Sequence, residues 1–415
     1  MTKIRASEFQ NPYSAYSSEF SSLDAAAVMA QIGIQYDPGT DVQDMRDQVL
    51  HALEADASVY QIEAGRHLDA AGQVNDVFLA YWVSGDDYRR WHAEHPLESW
   101  VPEPGERSVG LWVESLQVPA RRLETSYSTQ DARWGMAKNR SKELNPYHSY
   151  FGSMRDRIHD AEDGGLPGTV TDVSPGAVMS GSRLVSFEVP ENMCFIRSPQ
   201  GWRHCPDAER DWFEEKMLPV YQAGVDYLSE NPLDTGCLSI RKIDVHHPAD
   251  AQVQTATLAW WQSLAHLEAW AHEHPTHLAI LQSFGGLARH FAPDVTVVLG
   301  HEVYVVPAGG ARAEYLNCHD RTGLPAVLGT PERRCFRSRF RPLSVPDRPG
   351  RRRARCRTTS STTKSPACTL PGGDLTPLRP PGRTPCCWYT ADSTGRGAGT
   401  ISPSTCQPEA GTATL

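Results

Sequence analysis

The chain has 415 residues, 40% hydrophobic and 22% charged, which is a globular composition with room for two ordinary domains or one large pseudo-symmetric one. Acidic residues outnumber basic ones by 50 to 40, and the excess sits in the body: residues 331–415 hold 15 basic and 5 acidic residues, leaving residues 1–330 a formal charge of −20. So acidic a body is poorly suited to nucleic acid or anionic lipid as partners, and no apolar run approaches the roughly 20 residues of a membrane span.

Residues 1–22 read as a polar lead without the apolar run of a signal peptide, so the expected location is the cytoplasm. Val28–Tyr36 then reads as a strand, and Val42, Met45, Val49 and Leu53 as one face of a helix. Val77–Val83 is a strand, followed by a short helix through Trp91 and a strand over Val109–Val118. Farther on, Arg183–Phe195 reads as one long alternating strand. Phe213, Met217, Val220 and Tyr221 mark a helix bent or interrupted near Pro219. Ser239–Val245 and Thr255–Trp260 are strands, Leu264, Leu267 and Trp270 mark a helix, a helix is expected over Leu278–Phe291, and Val295–Val305 is the last strand.

An internal repeat organises these elements. Tyr81–Pro96 (YWVSGDDYRRWHAEHP) aligns with Trp260–Pro275 (WWQSLAHLEAWAHEHP) at an offset of 179, and Leu111–Pro119 with Leu299–Pro307 at an offset of 188. Each copy is read as a β-α-β-β-α-β unit of the ferredoxin-like kind. The expected fold is therefore α+β, two such repeats forming one pseudo-symmetric barrel-like body. The expected boundaries are a first repeat with connector at 23–150, a second at 151–327, and a tail at 328–415.

The tail differs in kind. Residues 331–415 carry 12 of the 31 prolines and 6 of the 10 cysteines, with an arginine run from Arg351 to Arg357. No strand or helix period runs through them, so no face exists to bury. The expectation is disorder or translation of the wrong frame. A basic nucleic-acid arm is the functional alternative, and a cysteine metal site lacks any CxxC pair.

The repeat also serves as a control. Residues kept in both copies, such as Trp82/Trp261, Trp91/Trp270, Pro96/Pro275 and His95/His274, are expected to serve packing or helix ends. Two histidines break the symmetry: His277 stands where copy one has Glu98, and His301 where it has Val113. His274 and His277 have a metal-pair spacing, but no HExxH or cysteine pair accompanies them. GxSxG, Walker A and Rossmann signatures are absent, and so is CxxCH, so any haem would be held noncovalently.

Five stretches in order resemble the haem-containing aldoxime dehydratases: YFGSMRDR at Tyr150–Arg157, CFIRSPQGW at Cys194–Trp202, LEAWAHEHPTHL at Leu267–Leu278, GHEV at Gly300–Val303 and EYLNCHDRTG at Glu314–Gly323. The resemblance implies haem b, with His277 as the proximal iron ligand. It implies a distal group of His301, Arg157 and Ser198, with Glu124 of RRLETSY also involved. It further implies an aldoxime substrate and a homodimer. Pro199 and Gly201 depart from the pattern and are expected to alter a loop beside Ser198, and the sequence after Gly323 does not resemble the family's ending.

The chemistry suits those residue types. Dehydrating R-CH=N-OH breaks an N–O bond and removes a C–H proton, and hydroxide leaves poorly unless protonated. A neutral histidine is a suitable fifth ligand for ferrous haem, which leaves the sixth position for the oxime nitrogen. His301 is the natural acid and base. Ser198 can donate to the oxime oxygen, and Arg157 can orient it. Ferric iron is expected to prefer the oxime oxygen, so activity should require reduction. Met193 and Phe195 are candidates for the pocket wall, with ordinary core as the alternative. The rival readings are a haem peroxidase or dismutase, and a haem carrier or sensor.

Overall fold

The computed structural model describes residues 8–100, 109–162, 165–170 and 184–328; the expectations for the tail beyond Leu328 lie outside them. The strands in chain order are β1 (Tyr16–Ser18), β2 (Ala26–Tyr36), β3 (Val59–Leu68), β4 (Val74–Trp82), β5 (Val109–Pro119), β6 (Leu123–Tyr127), β7 (Lys142–Leu144), β8 (Leu184–Glu188), β9 (Cys194–Gly201), β10 (Cys237–His247), β11 (Thr255–Trp261), β12 (Val298–Val305) and β13 (Ala311–Leu316). The helices are α1 (Gln43–Glu54), α2 (Gly85–Glu94), α3 (Ser153–Arg157), α4 (Asp207–Trp212), α5 (Leu218–Glu230), α6 (Pro232–Thr235), α7 (Leu264–Glu273), α8 (Pro275–Phe291) and α9 (Pro325–Leu328).

Among the described residues, 13 strands join one antiparallel sheet in the order β7-β1-β6-β12-β9-β11-β10-β3-β4-β2-β5-β13-β8. The mixed architecture expected from the sequence is present. No ladder joins β7 to β8 among the described residues, so the pairing order is open. Two blocks inside it share a layout. β2, α1, β3, β4, α2 and β5 pair as β3-β4-β2-β5, and β9, α4–α5, β10, β11, α7–α8 and β12 pair as β10-β11-β9-β12. They meet along β3 and β10, where Gly65 faces Val245.

Local chemistry sets these elements. Ser84 and Ser263 cap α2 and α7 by accepting from the backbone N–H groups of Asp87 and His266. In α1 the stripe of Met45, Val49 and Leu53 is buried. Between α4 and α5 the chain takes a π-helical turn at Phe213–Met217, just ahead of Pro219, whose missing N–H breaks the regular ladder. The tryptophans kept in both repeats pack alike: Trp82 and Trp91 have ring centroids 5.2 Å apart, and Trp261 and Trp270 5.6 Å.

Three expectations need correction. The single strand over Arg183–Phe195 is two strands in different places: β8 lies at the sheet edge beside β13, while β9 is central between β12 and β11. Pro190 and the left-handed Asn192 (φ 62°) interrupt the chain between them. Ser198, Pro199 and Gly201 therefore belong to β9, not to a loop. The helix expected from Leu278 begins at Pro275, which suits a first helical position because its missing N–H would be unpaired there anyway.

A crossed pair of polar networks ties the repeats together. Glu114 on β5 and Glu302 on β12 hold equivalent positions, and both are fully buried. Glu114 accepts from Trp260 Nε1 of the other repeat at 2.6 Å, from Tyr315 at 2.7 Å and from both terminal nitrogens of Arg241. Glu302 accepts from Tyr81 of the other repeat at 3.2 Å, from Tyr304 at 2.8 Å and from the Met136 N–H at 2.7 Å. Arg197 bridges Glu302 to Glu63 on β3. Gly135 is required there: its φ is +50°, and a Cβ would sit 2.2 Å from Glu302 Oε1. Tyr81 and Trp260 are themselves equivalent residues, so each repeat supplies a donor to the other's buried carboxylate.

Candidate functional site

Strand register brings the distal residues together. On β12, His301 pairs with Ser126 and Val303 with Glu124 of β6. The β9–β12 pairs Leu299–Gln200 and Glu302–Arg197 bracket Ser198 opposite His301. The ladder skips the positions between them, where Pro199 has no N–H to give. Alternation then puts Glu124, Ser198 and His301 on one face, and Arg197, Glu302, Phe195 and Tyr304 on the other.

That face carries an ordered charge group. Arg157, the last residue of α3, donates through Nε to Glu124 Oε2 at 2.7 Å and through Nη1 to the Tyr147 carbonyl at 2.5 Å. His301 Nε2 lies 3.1 Å from Arg157 Nη2 and 3.0 Å from Glu124 Oε1. The Glu124 side chain is fully buried and that of Arg157 nearly so, whereas a third of His301 stays open. Burial alone would push the Glu124 carboxyl up. Arg157 and His301 outweigh it and hold the group at about 2, so it is ionised at neutral pH. Ser198 Oγ meets no hydrogen-bond partner among the described residues.

Helices α5, α7 and α8 cover the same face. Tyr221 of α5 donates to Thr257 on β11 at 2.5 Å, and Lys242 on β10 donates to Gln222 of α5 at 2.9 Å. Leu264 and Leu267 of α7 pack with Cys194, Val303 and Val305 of β9 and β12. Helices α5 and α8 approach closely at Gly224, where a Cβ would stand 3.0 Å from Ile280 Cδ1.

His277 lies in the first turn of α8. Its Nδ1 is 2.6 Å from the Ala271 carbonyl. A carbonyl only accepts, so Nδ1 holds the proton and Nε2 keeps its lone pair. The ring packs on Trp270 with centroids 4.5 Å apart. Burial pulls its pKa down, partly opposed by the Ala271 bond, with His301 across the site adding to the fall. The imidazole is therefore neutral, in the tautomer a metal needs. Beside it on α8, the apolar side chains of Leu278 and Leu281 stand 44% and 51% exposed, and of that helix only Leu287 is buried. A neutral imidazole with a free Nε2, flanked by uncovered apolar side chains, fits an apolar planar group with an iron centre, as haem is.

Other expectations separate from this site. His274 caps α8 through its Nδ1, 3.3 Å from the Thr276 N–H, and its ring packs at a tilt against Tyr227, so it does not join His277 in a metal pair. No group of three metal-binding side chains occurs among the described residues. Phe195 points to the opposite face, against Trp260 and Tyr304, and Met193 is buried in the same core; neither lines the histidine site. A cleft of about 770 Å³ between α5, β3 and β10 contains none of the five residues named from the sequence. Sequence reasoning missed the Tyr147 and Ala271 carbonyls, because backbone acceptors leave no residue-type signal. It also missed Thr257 and Tyr221, whose types are ordinary in strands and helices.

Comparison with known proteins gives one consistent result. A family model described as haem-containing dehydratase matches residues 30–324. The phenylacetaldoxime dehydratase of Bacillus sp. (strain OxB-1) is 27% identical over 323 residues, covering 76% of this chain and 92% of that protein. The aliphatic aldoxime dehydratase of Rhodococcus globerulus is 30% identical over 313 residues, covering 72% and 86%. A crystal structure of an aldoxime dehydratase in complex with butyraldoxime superposes with a TM-score of 0.69 at 26% identity, covering 78% of this chain and 92% of that one.

Proposed function

The chain belongs to the haem-containing dehydratase family, and we propose that His277 holds the haem while His301, Ser198, Arg157 and Glu124 carry out the dehydration of an aldoxime to a nitrile. The enzyme is a lyase with haem as cofactor and a small aldoxime as substrate. The observation that carries the site assignment is that His301 meets Glu124 and Arg157 on the face overlain by α8, whose His277 has its Nδ1 committed to Ala271.

Bound at His277, haem would supply a ferrous iron that takes the oxime nitrogen and lends it electron density. The chain's own residues handle the protons. The His301 Nε2–H is turned to Glu124 Oε1, 3.0 Å away, so Nδ1 is the nitrogen left to face the substrate. The ionised Glu124 stabilises the imidazolium, as the carboxylate of a catalytic triad does. Imidazolium donates its proton to the oxime oxygen as the N–O bond breaks, and water leaves with the bonding pair. The neutral ring then takes the proton from carbon as the C–H pair becomes the third C–N bond. The imidazolium is thereby restored, and atoms and charge balance. Ser198 donates to the oxime oxygen, and Arg157 holds Glu124 and His301 in place.

Several finer readings accompany this. We read each four-strand block as a ferredoxin-like unit, which its β-α-β-β-α-β order supports. We read the protein as a homodimer, which the resemblance supports, and as cytoplasmic; among the described residues no helix is long and apolar enough to cross a membrane. Peroxide consumption measured beside nitrile formation on the same haem-loaded protein separates this function from a peroxidase. Ligand-dependent spectra without turnover would make it a carrier.

A further inference from the structure

Ser198 has a neighbour that lies outside all five stretches carrying the family resemblance. Thr257 on β11 pairs directly with Ser198 on β9, and the two side chains share the face that carries His301. Directly paired residues have Cβ atoms about 4.5–5.5 Å apart, within reach of a hydroxyl–hydroxyl bond. Thr257 is buried, and its Oγ1 accepts from Tyr221 Oη at 2.5 Å. Burial pushes the Tyr221 hydroxyl up to about 12, so it remains a donor at any working pH.

A hydroxyl has one proton and two lone pairs. With Tyr221 donating into Thr257, the Thr257 proton must point elsewhere. Among the described residues that proton meets no acceptor and Ser198 Oγ meets no partner, and the two hydroxyls, on directly paired residues, are joined once their side chains turn toward each other. We propose that Thr257, oriented by Tyr221, is a positioning residue that donates to Ser198 Oγ and so leaves the Ser198 proton to point at the substrate oxygen. The chain Tyr221→Thr257→Ser198 then runs in one direction, and successive bonds polarise one another. It explains how a lone serine on a central strand can present its proton with a fixed polarity. The inference rests on the reading of Ser198 as a substrate donor.

The test uses full-length, haem-loaded protein and the variants Thr257→Val, Thr257→Ser and Tyr221→Phe, alone and combined with Ser198→Ala. Two readouts are taken: kcat and KM for nitrile formation from butyraldoxime, and the C–O stretching frequency of carbon monoxide bound to the reduced haem. Losing one neutral hydrogen bond in the reacting state corresponds to roughly a tenfold fall in kcat. Thr257→Val should show that fall with KM nearly unchanged, Thr257→Ser should restore it, and Tyr221→Phe should fall between. Thr257→Val and Ser198→Ala should shift the C–O stretch in the same direction, and the double variant should lose no more than Ser198→Ala alone. Additive losses, or a wild-type C–O stretch in Thr257→Val, would overturn the proposal. If Thr257→Val fails to hold haem, Tyr221→Phe and Thr257→Ser decide by the same criteria. Absence of nitrile from the wild-type protein would instead strike at the function itself, and the C–O stretch still reads the hydroxyl chain.

Discussion

Arg157 Nε donates to Glu124 Oε2 at 2.7 Å, joining the end of α3 to β6 across a buried gap. Removing one partner of such a pair strands the other charge, which costs about 3–5 kcal/mol. Glu124→Gln should therefore lower the melting temperature by roughly 5–10 °C. It should also slow dehydration, because the proposed proton carrier His301 loses its carboxylate partner. Calorimetry and nitrile assays check both, and an unchanged melting temperature would contradict the pairing.

Acid stability follows from the same group. Glu124, Glu314 and Asp69 are each held at about 2, against the pull of burial, by nearby Arg and His partners and by hydrogen bonds. Their folded pKa values lie below the unfolded ones, so the unfolded chain binds more protons between about pH 5 and 2, and stability rises with pH across that window. The contribution should be complete above about pH 5 and fall away as acid is added. Melting temperature measured from pH 7 to 3 should stay flat, then drop below about 4.5; a flat profile to pH 3 would contradict it.

His277→Ala should abolish or strongly shift the haem Soret band, because the Nε2 left free by the Ala271 bond is the proposed ligand. A wild-type spectrum in that variant would remove His277 from the role.

His301→Ala should keep the haem and lose about 10²–10⁴-fold in kcat, the usual range for a general acid or base. Its ring is a third open, and its removal leaves the Glu124–Arg157 pair intact, so folding should survive. Retained turnover would reject His301 as the proton carrier.

The crossed carboxylates predict a stability effect remote from the site. Glu302→Ala leaves Arg197 paired with Glu63 alone and removes the acceptor for Tyr81 and Tyr304. Unfolding in denaturant should show a loss of about 3–5 kcal/mol, and Glu114→Ala a similar one. A loss under 1 kcal/mol in either would show that the networks do not lock the repeats.

The sequence carried much of this site because its signals were of residue type. The offset repeat separated His277 and His301 from the histidines both copies keep, and the pairs Trp82–Trp91 and Trp261–Trp270 do pack as structural residues. Strand β3 escaped notice because Gln61 and Glu63 interrupt its apolar pattern; they are polar because they enter the buried network around Arg197. Arg183–Phe195 was misread because Pro190 and Asn192 turn the chain without disturbing the alternation around them. The role of Pro199 was also hidden: proline in a central strand contradicts propensity, and its place becomes intelligible only where the β9–β12 ladder skips Ser198 and His301.

The most direct test is an anaerobic assay of haem-loaded protein with butyraldoxime and with phenylacetaldoxime, in the ferrous and the ferric state, reading nitrile. The ferrous protein should form nitrile from at least one of the two, and the ferric protein far less. Haem-replete ferrous protein that forms no nitrile, or equal turnover in both oxidation states, would contradict the account.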